Sequence, residues 1–270
     1  MRFTDDPVSN YLATTPLALA LERGLECRLL SKQEFAPPIL DLGCGDGLLA
    51  KNLFADKIDT GIDPNAEEIA CAAKTGAYHE LICCFGSEVP KPSGVYRTIF
   101  ANSVLEHIPN LEPVLHEAHR LLEVGGSFLL TVPTDEFEQY SVAHRVLVRL
   151  GLTDCAARFR SWYNRFWRHY HAYSASEWRR IVTEAGFEVL EMIRYNPPDM
   201  TTRNDCLTPL AALSMMLKRV SARWVLWPRF RKVFFTPVAR KIWRSFGERG
   251  VSPDGSLLFI EARKVLKDAP

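Results

Sequence analysis

The sequence predicts an α/β fold: a doubly wound, seven-stranded, mostly parallel sheet. Three observations predict it. Apolar runs of 5–8 residues alternate with helical patterns along most of the chain, as expected of parallel strands joined by crossover helices. The apolar stretch Pro38-Ile39-Leu40-Asp41-Leu42 runs directly into Gly43-Cys44-Gly45-Asp46-Gly47. A second apolar stretch then ends on Gly61-Ile62-Asp63-Pro64, with Asp63 twenty residues after Gly43.

Taken in order, strands are expected near 38–42, 58–63, 80–85, 96–101, 127–132, 187–194 and 256–264. Helices are expected near 13–30, 47–54, 65–75, 110–123 and 175–185. Asn110 can cap the fourth helix, with Gly125 and Gly126 ending it. Ser174-Ala175-Ser176-Glu177 is a capping box opening the fifth, which Gly186 stops. The last strand follows its predecessor without a crossover helix. Residues 135–172 and 197–254 fall outside this alternation. Each leaves the sheet at the carboxyl end of a parallel strand, the edge where open α/β sheets bind ligands. The expectation is one domain over 1–270 whose two insertions form a helical cap over the site.

Composition is that of an ordinary globular chain, 47% hydrophobic and 24% charged. No apolar run reaches the roughly 18–20 residues that span a bilayer. The first residues, Met1-Arg2-Phe3-Thr4-Asp5-Asp6, show no secretory signal. Seven cysteines, with Cys83 and Cys84 adjacent, do not read as a disulfide framework. Cys44, Cys83 and Cys84 are expected as buried apolar fillers, and a reducing, cytosolic setting follows.

The glycine turn lets a ligand approach backbone that carries no Cβ, and the acid at the end of the next strand is placed for both hydroxyls of a ribose. A nucleoside ligand is implied. A dinucleotide fits poorly: the third glycine of G-x-G-x-x-G is replaced by Leu48, and Asp41 and Asp46 would repel a pyrophosphate. They suit a ligand carrying an ammonium and a sulfonium. With Leu40-Asp41-Leu42-Gly43-Cys44-Gly45-Asp46-Gly47 as its first motif, the chain resembles the class I S-adenosylmethionine-dependent methyltransferases over about 36–134, 172–196 and 255–265. The resemblance implies an antiparallel seventh strand inserted between the fifth and sixth. It implies S-adenosyl-L-methionine as cofactor, with Asp41, Gly43, Cys44 and Gly45 at its methionine end, Asp63 on the ribose and Pro64 against the adenine. The family commonly has an Asp after the third strand; here that position is Phe85, so Phe85 stacking, Gly86 backbone groups or Glu88 are the candidates. Asn102, in Asn102-Ser103-Val104-Leu105-Glu106-His107, is a further methionine-side contact.

Methyl transfer asks the protein for binding, orientation and, for a protonated nucleophile, a base. His107, His169 and His171 are the candidate bases; the competing readings pack His169 and His171 with Trp162, Tyr163, Phe166 and Trp167, make Glu106-His107 a structural or substrate-orienting pair, and use no dedicated base. Ubiquinone-type O-methyltransferases carry Glu-x-x-Glu-His where this chain has Ser103-Val104-Leu105-Glu106-His107. Two ligands remain where three are wanted, so no metal is expected. Tyr195-Asn196-Pro197-Pro198 reads as turn residues ending a strand.

Residues 206–247 hold nine basic side chains (Lys218, Arg219, Arg223, Arg229, Arg231, Lys232, Arg240, Lys241 and Arg244) and no acidic one. Trp224, Trp227, Phe230, Phe234, Phe235, Trp243 and Phe246 interleave with them, and Leu213, Leu217 and Val220 recur at helical spacing. Such a stretch suits an anionic membrane surface, peripherally at the inner face, or it packs as a solvated rim on the core. Nucleic acid is disfavoured by a net charge of only +1. The sequence thus predicts a methyltransferase for a small-molecule or lipid-linked acceptor, amphipathic or anionic, the nucleophile being oxygen, nitrogen or carbon. RNA methylation and a non-catalytic nucleoside-binding role are the alternatives.

Overall fold

A computed structural model describes residues 1–221, 224–225, 227–234, 236–237, 241 and 250–265. Its centre is one seven-stranded sheet in the order β3-β2-β1-β4-β5-β7-β6. The strands are β1 (Ile39–Leu42), β2 (Ile58–Asp63), β3 (Tyr78–Cys83), β4 (Tyr96–Asn102), β5 (Leu122–Pro133), β6 (Phe187–Tyr195) and β7 (Leu257–Lys264). β7 runs antiparallel to both β5 and β6; the other pairings are parallel. The strand order reverses at β1 and β4, so the carboxyl ends of these two strands open the crevice in which such sheets bind ligands.

The helices are α1 (Pro7–Thr14), α2 (Leu17–Leu30), α3 (Leu48–Leu53), α4 (Ala66–Thr75), α5 (Leu111–Leu121), α6 (Val142–Arg149), α7 (Thr153–Trp167), α8 (Ala175–Glu184), α9 (Pro198–Ser221) and α10 (Pro228–Phe234). One sheet face is covered by a cluster containing Leu21, Leu25, Leu53, Phe54 and Phe100. The opposite face packs Val114, Leu115, Trp178 and Val182 against β4, β5 and β7. The capping box opens α8: Ser174 accepts from the Glu177 N–H while the Glu177 carboxylate takes the Ser174 N–H.

Three local expectations are corrected. The helix expected over 13–30 is two helices, because Asp6 caps a helix begun by Pro7 and the chain breaks at Thr15-Pro16. α5 ends at Leu121, and the Asn110 side chain makes no capping bond. Gly125 and Gly126 lie inside β5 instead of ending the helix. They serve a register shift opposite Tyr96–Thr98, where a Cβ on Gly126 would meet the Arg97 and Glu123 carbonyls at 3.0 Å. Cys83 is exposed and Cys84 half-buried; only Cys44 of the three is an interior filler.

Residues 135–172 carry a short 3-10 turn (Glu138–Tyr140), α6 and α7, and residues 197–254 carry α9 and α10. α9 packs on α2, and α10 on α1. Among the described residues no helix is long and apolar enough to cross a membrane. Arg223, Phe235, Arg240, Trp243, Arg244 and Phe246 lie outside the described residues, as do the side chains of Leu213 and Arg219.

Candidate active site

The turn after β1 is built backbone-first. Gly43 and Cys44 donate to the Ile62 carbonyl at 2.9 and 2.8 Å, tying the turn to β2. Gly43 has φ +80°, and a Cβ there would lie 2.6 Å from both Val104 methyls. Only glycine satisfies both conditions. Asp63 closes the turn from the other side, accepting the Gly45 N–H at 3.0 Å and the Asn65 N–H at 2.8 Å.

A cavity of about 910 Å³ lies over this turn, lined among others by Asp41, Gly43, Cys44, Gly45, Asp63, Pro64, Phe85, Gly86 and Asn102. The sequence-predicted binding residues are therefore neighbours in space. Glu88 is not among the lining residues. Asp41 is buried, accepts from the Tyr78 hydroxyl at 2.7 Å, and has its carboxyl pushed up to about 7, chiefly by burial, against that hydrogen bond. Arg23 and Lys218 also line this cavity but pair with other carboxylates, so among the described residues no cation pairs with Asp41, and a ligand cation would supply one.

A second cavity, about 250 Å³, shares Leu19, Arg23, Ser103, His107 and Trp224 with the first. Its remaining wall comes largely from the two insertions: Phe137, Tyr163, Trp167 and His169 from the first, Thr201, Asn204 and Asp205 from the second. Three carboxylates, Glu22, Glu106 and Asp205, line it against the single cation of Arg23. Burial pushes Glu22 up to about 7 and Glu106 up to about 8. For Arg23, burial opposes the charge, but Glu26 and Glu22 outweigh it and keep the guanidinium ionised.

The three candidate histidines separate. His107 lies on the wall common to both cavities, and His169 lines the smaller one. Burial lowers both, His169 to about 4, so both rings are neutral near pH 7. His171 lies elsewhere, in a third cavity beside α5 and α8. Its ring nitrogens are engaged by the Tyr173 hydroxyl at 2.8 Å and the Ile108 carbonyl at 2.9 Å. Glu106, His107 and His169 each offer a polar atom within 4.8 Å of the others. Sequence spacing counted two such groups; the fold brings a third from the far end of α7. These are the residues that could hold a cation.

Sequence reasoning missed a contribution from α2. Arg23 donates to Ser103 Oγ at 2.8 Å and to Glu26 at 2.5 Å, and Glu26 is wholly buried. The available signal was Glu22-Arg23-x-x-Glu26 inside the apolar run Leu17–Leu30, charge on a face that must be buried. Also missed was how α9 reaches the turn. Lys218 pairs with Asp46 at 2.9 Å and with Glu68 at 3.0 Å, and Trp224 Nε1 donates to Asp46 at 3.0 Å.

Comparison with known proteins agrees with this geometry. Residues 17–192 match the methyltransferase domain family. The chain belongs to that family. Its cofactor is S-adenosyl-L-methionine. Among curated relatives, a mitochondrial ubiquinone biosynthesis O-methyltransferase of Mus musculus is 31% identical over 104 residues, 34% of this chain and 28% of that one. A sterol 24-C-methyltransferase of Aspergillus fumigatus is 27% identical over 217 residues, 76% of this chain and 50% of that one. The chain thus spans half or less of these relatives' length. A SAM-dependent methyltransferase of Thermotoga maritima, described as a possible histamine N-methyltransferase, shares the fold with TM-score 0.57 and 16% identity, over 92% of this chain and 91% of that one.

Proposed function

We propose that the chain transfers the methyl group of S-adenosyl-L-methionine to an amphipathic small-molecule or lipid-linked acceptor. The observation that carries this reading is the wall of Arg23, Ser103 and His107 common to both cavities, at the end of β4. In this reading the larger cavity holds the cofactor: Asp63 takes the ribose hydroxyls, Asp41 and Asn102 the methionine end, Pro64 and Phe85 the adenine. The smaller cavity holds the acceptor head. The sulfonium carbon then needs only in-line positioning across the common wall, because the cofactor carries the reactive group.

The acceptor head is flat and not anionic. Phe137, Tyr163, Trp167 and Trp224 line the smaller cavity with rings, and Arg23, the one cation in its described lining, is already paired with buried Glu26, which leaves no free positive charge for an anionic head. This narrows the anionic or amphipathic acceptor expected from sequence to the amphipathic kind. His107 and His169, neutral and beside this cavity, are the proton acceptors for a hydroxyl or amine nucleophile. The relatives named for ubiquinone and sterol methylation support an acceptor with an apolar body. The test is transfer of labelled methyl to matched acceptors, the same ring with and without an isoprenoid tail. Tailed acceptors should be preferred. Failure of S-adenosylhomocysteine to bind in calorimetry would overturn the reading at its base.

We also infer that the outer face of the second insertion rests on anionic lipid. Met216, Val220, Trp227, Phe230, Val233 and Phe234 are each at least 65% exposed, beside exposed Arg229, Lys232 and Lys241. Exposed apolar side chains interspersed along the sequence with exposed cations, on a segment without acids, suit an interfacial helix.

A further inference from the structure

We propose that Glu26 is a positioning residue that sets the amide of Asn102, and thereby makes the end of β4 a receptor for a cationic amine. The ligand side of this proposal rests on the methyltransferase reading above; the geometry of the pair does not.

Glu26 lies on α2, is fully buried, and lines neither cavity. Four donors converge on its carboxylate: Arg23 Nη1 at 2.5 Å, Asn102 Nδ2 at 2.8 Å, Ser103 Oγ at 3.1 Å and the Tyr195 hydroxyl at 3.4 Å. An ionised carboxylate only accepts. Asn102 must therefore turn its NH₂ toward Glu26, and its Oδ1 is held at the opposite corner of the amide. That Oδ1 is buried without a hydrogen-bond partner, on a residue that lines the larger cavity.

A buried acceptor without a partner is costly unless a ligand completes it. The same cavity presents the Asp41 carboxylate, which also lacks a cation. An amide oxygen without a donor and a carboxylate without a cation call for a ligand group with several donors and a positive charge, a primary ammonium. The carboxylate at position 26 has a specific use here. A Gln could bond Asn102 in either amide orientation, leaving either Oδ1 or Nδ2 as the unpaired corner of the amide. Glu26 removes that ambiguity, and Arg23 keeps its charge tolerable in the interior. The neighbouring backbone is held in register too: Ser103, at φ +53°, donates its N–H to the Thr131 carbonyl at 3.0 Å.

The experiment measures the affinity ratio between S-adenosylhomocysteine and its deaminated analogue, which keeps the carboxylate and loses only the ammonium. Wild-type protein should prefer the amine. Glu26→Gln should reduce that preference about tenfold or more, as loss of a hydrogen bond to a charged group predicts, while the deaminated analogue binds nearly as before. Asn102→Ala should have the same effect. The exchange Glu26→Gln with Asn102→Asp reverses donor and acceptor between the pair and should restore the preference. An unchanged ratio in Glu26→Gln would overturn the proposal. So would an equal loss for both ligands, the result expected of a purely structural role. Should Glu26→Gln not fold, Asn102→Ala and the exchanged pair still decide it: an unchanged ratio in the first, or no preference in the second, overturns it. Loss of binding of both ligands by the wild type would instead strike the methyltransferase reading.

Discussion

Asp63→Ala is the perturbation that reaches deepest into the cofactor site. The carboxylate already accepts the Gly45 and Asn65 N–H groups at 3.0 and 2.8 Å, and each oxygen keeps a lone pair for a ribose hydroxyl. Hydrogen bonds to a charged acceptor contribute about 1.5–3 kcal/mol each. Losing one to two of them, with some loosening of the turn, should cost about 2–4 kcal/mol, roughly 30- to 700-fold in Kd at 1.4 kcal/mol per decade. Calorimetric titration of S-adenosylhomocysteine reads this directly, with circular dichroism confirming that the variant is folded. A second ligand sharpens the assay. The 2′,3′-dideoxy analogue should bind the wild type much more weakly, yet bind wild type and variant alike, because the groups that Asp63 addresses are gone. If Asp63→Ala binds S-adenosylhomocysteine within threefold of wild type, or the dideoxy analogue suffers the same loss, ribose recognition by Asp63 is refuted.

Three further outcomes are expected. S-adenosylhomocysteine affinity should rise between pH 6 and pH 8, because the Asp41 carboxyl, at about 7 in the free protein, must ionise to face the ammonium; Asp41→Asn should weaken binding and flatten the profile. Gly43→Ala combines φ +80° with a Cβ 2.6 Å from the Val104 methyls, so it should lower the melting temperature and abolish cofactor binding; an unaltered melting temperature would contradict the turn geometry. Lys218→Met removes the cation held by Asp46 and Glu68, and stopped-flow should find S-adenosylhomocysteine leaving faster from an otherwise intact fold.

The central sheet was legible in the sequence because each signal was local. A short apolar run, a glycine turn and an acid at twenty residues sufficed to give β1, the turn and β2. The larger cavity brings the predicted binding residues together, since they lie at or just after strand ends on one edge. The smaller cavity was not legible, because its walls meet only in the fold: α2 brings Arg23, the chain just after α7 brings His169, and α9 brings Asp205. The separation of His171 from His169 was equally illegible. Nothing in Arg168-His169-Tyr170-His171 distinguishes its two histidines. The left-handed Arg168 at the end of α7 directs the chain so that Tyr170 N–H bonds the Glu106 carbonyl at 2.8 Å. His169 thereby falls beside Glu106, and His171 passes on to Ile108.

The charge of 206–247 divides the same way, and that division sets the last prediction. Lys218 is spent internally on Asp46 and Glu68, and Arg231 is half-buried. The cations left to meet a surface among the described residues are Arg229, Lys232 and Lys241, all exposed beside Trp227, Phe230 and Phe234. A basic residue near an anionic bilayer contributes on the order of 1 kcal/mol. Changing Arg229, Lys232 and Lys241 together to Gln should therefore weaken binding to phosphatidylserine vesicles by about two orders of magnitude. Salt should mimic the change, since screening shortens the reach of exposed charges. Trp227→Ser with Phe230→Ser should weaken binding further and at every salt level, because apolar insertion is not screened. Cofactor affinity should remain unaltered in both variants, as none of these residues lines either cavity. Sedimentation with vesicles at low and high salt measures all of this. Wild-type protein that ignores anionic vesicles at both salt levels would refute lipid docking, and the exposed apolar face would then need another partner.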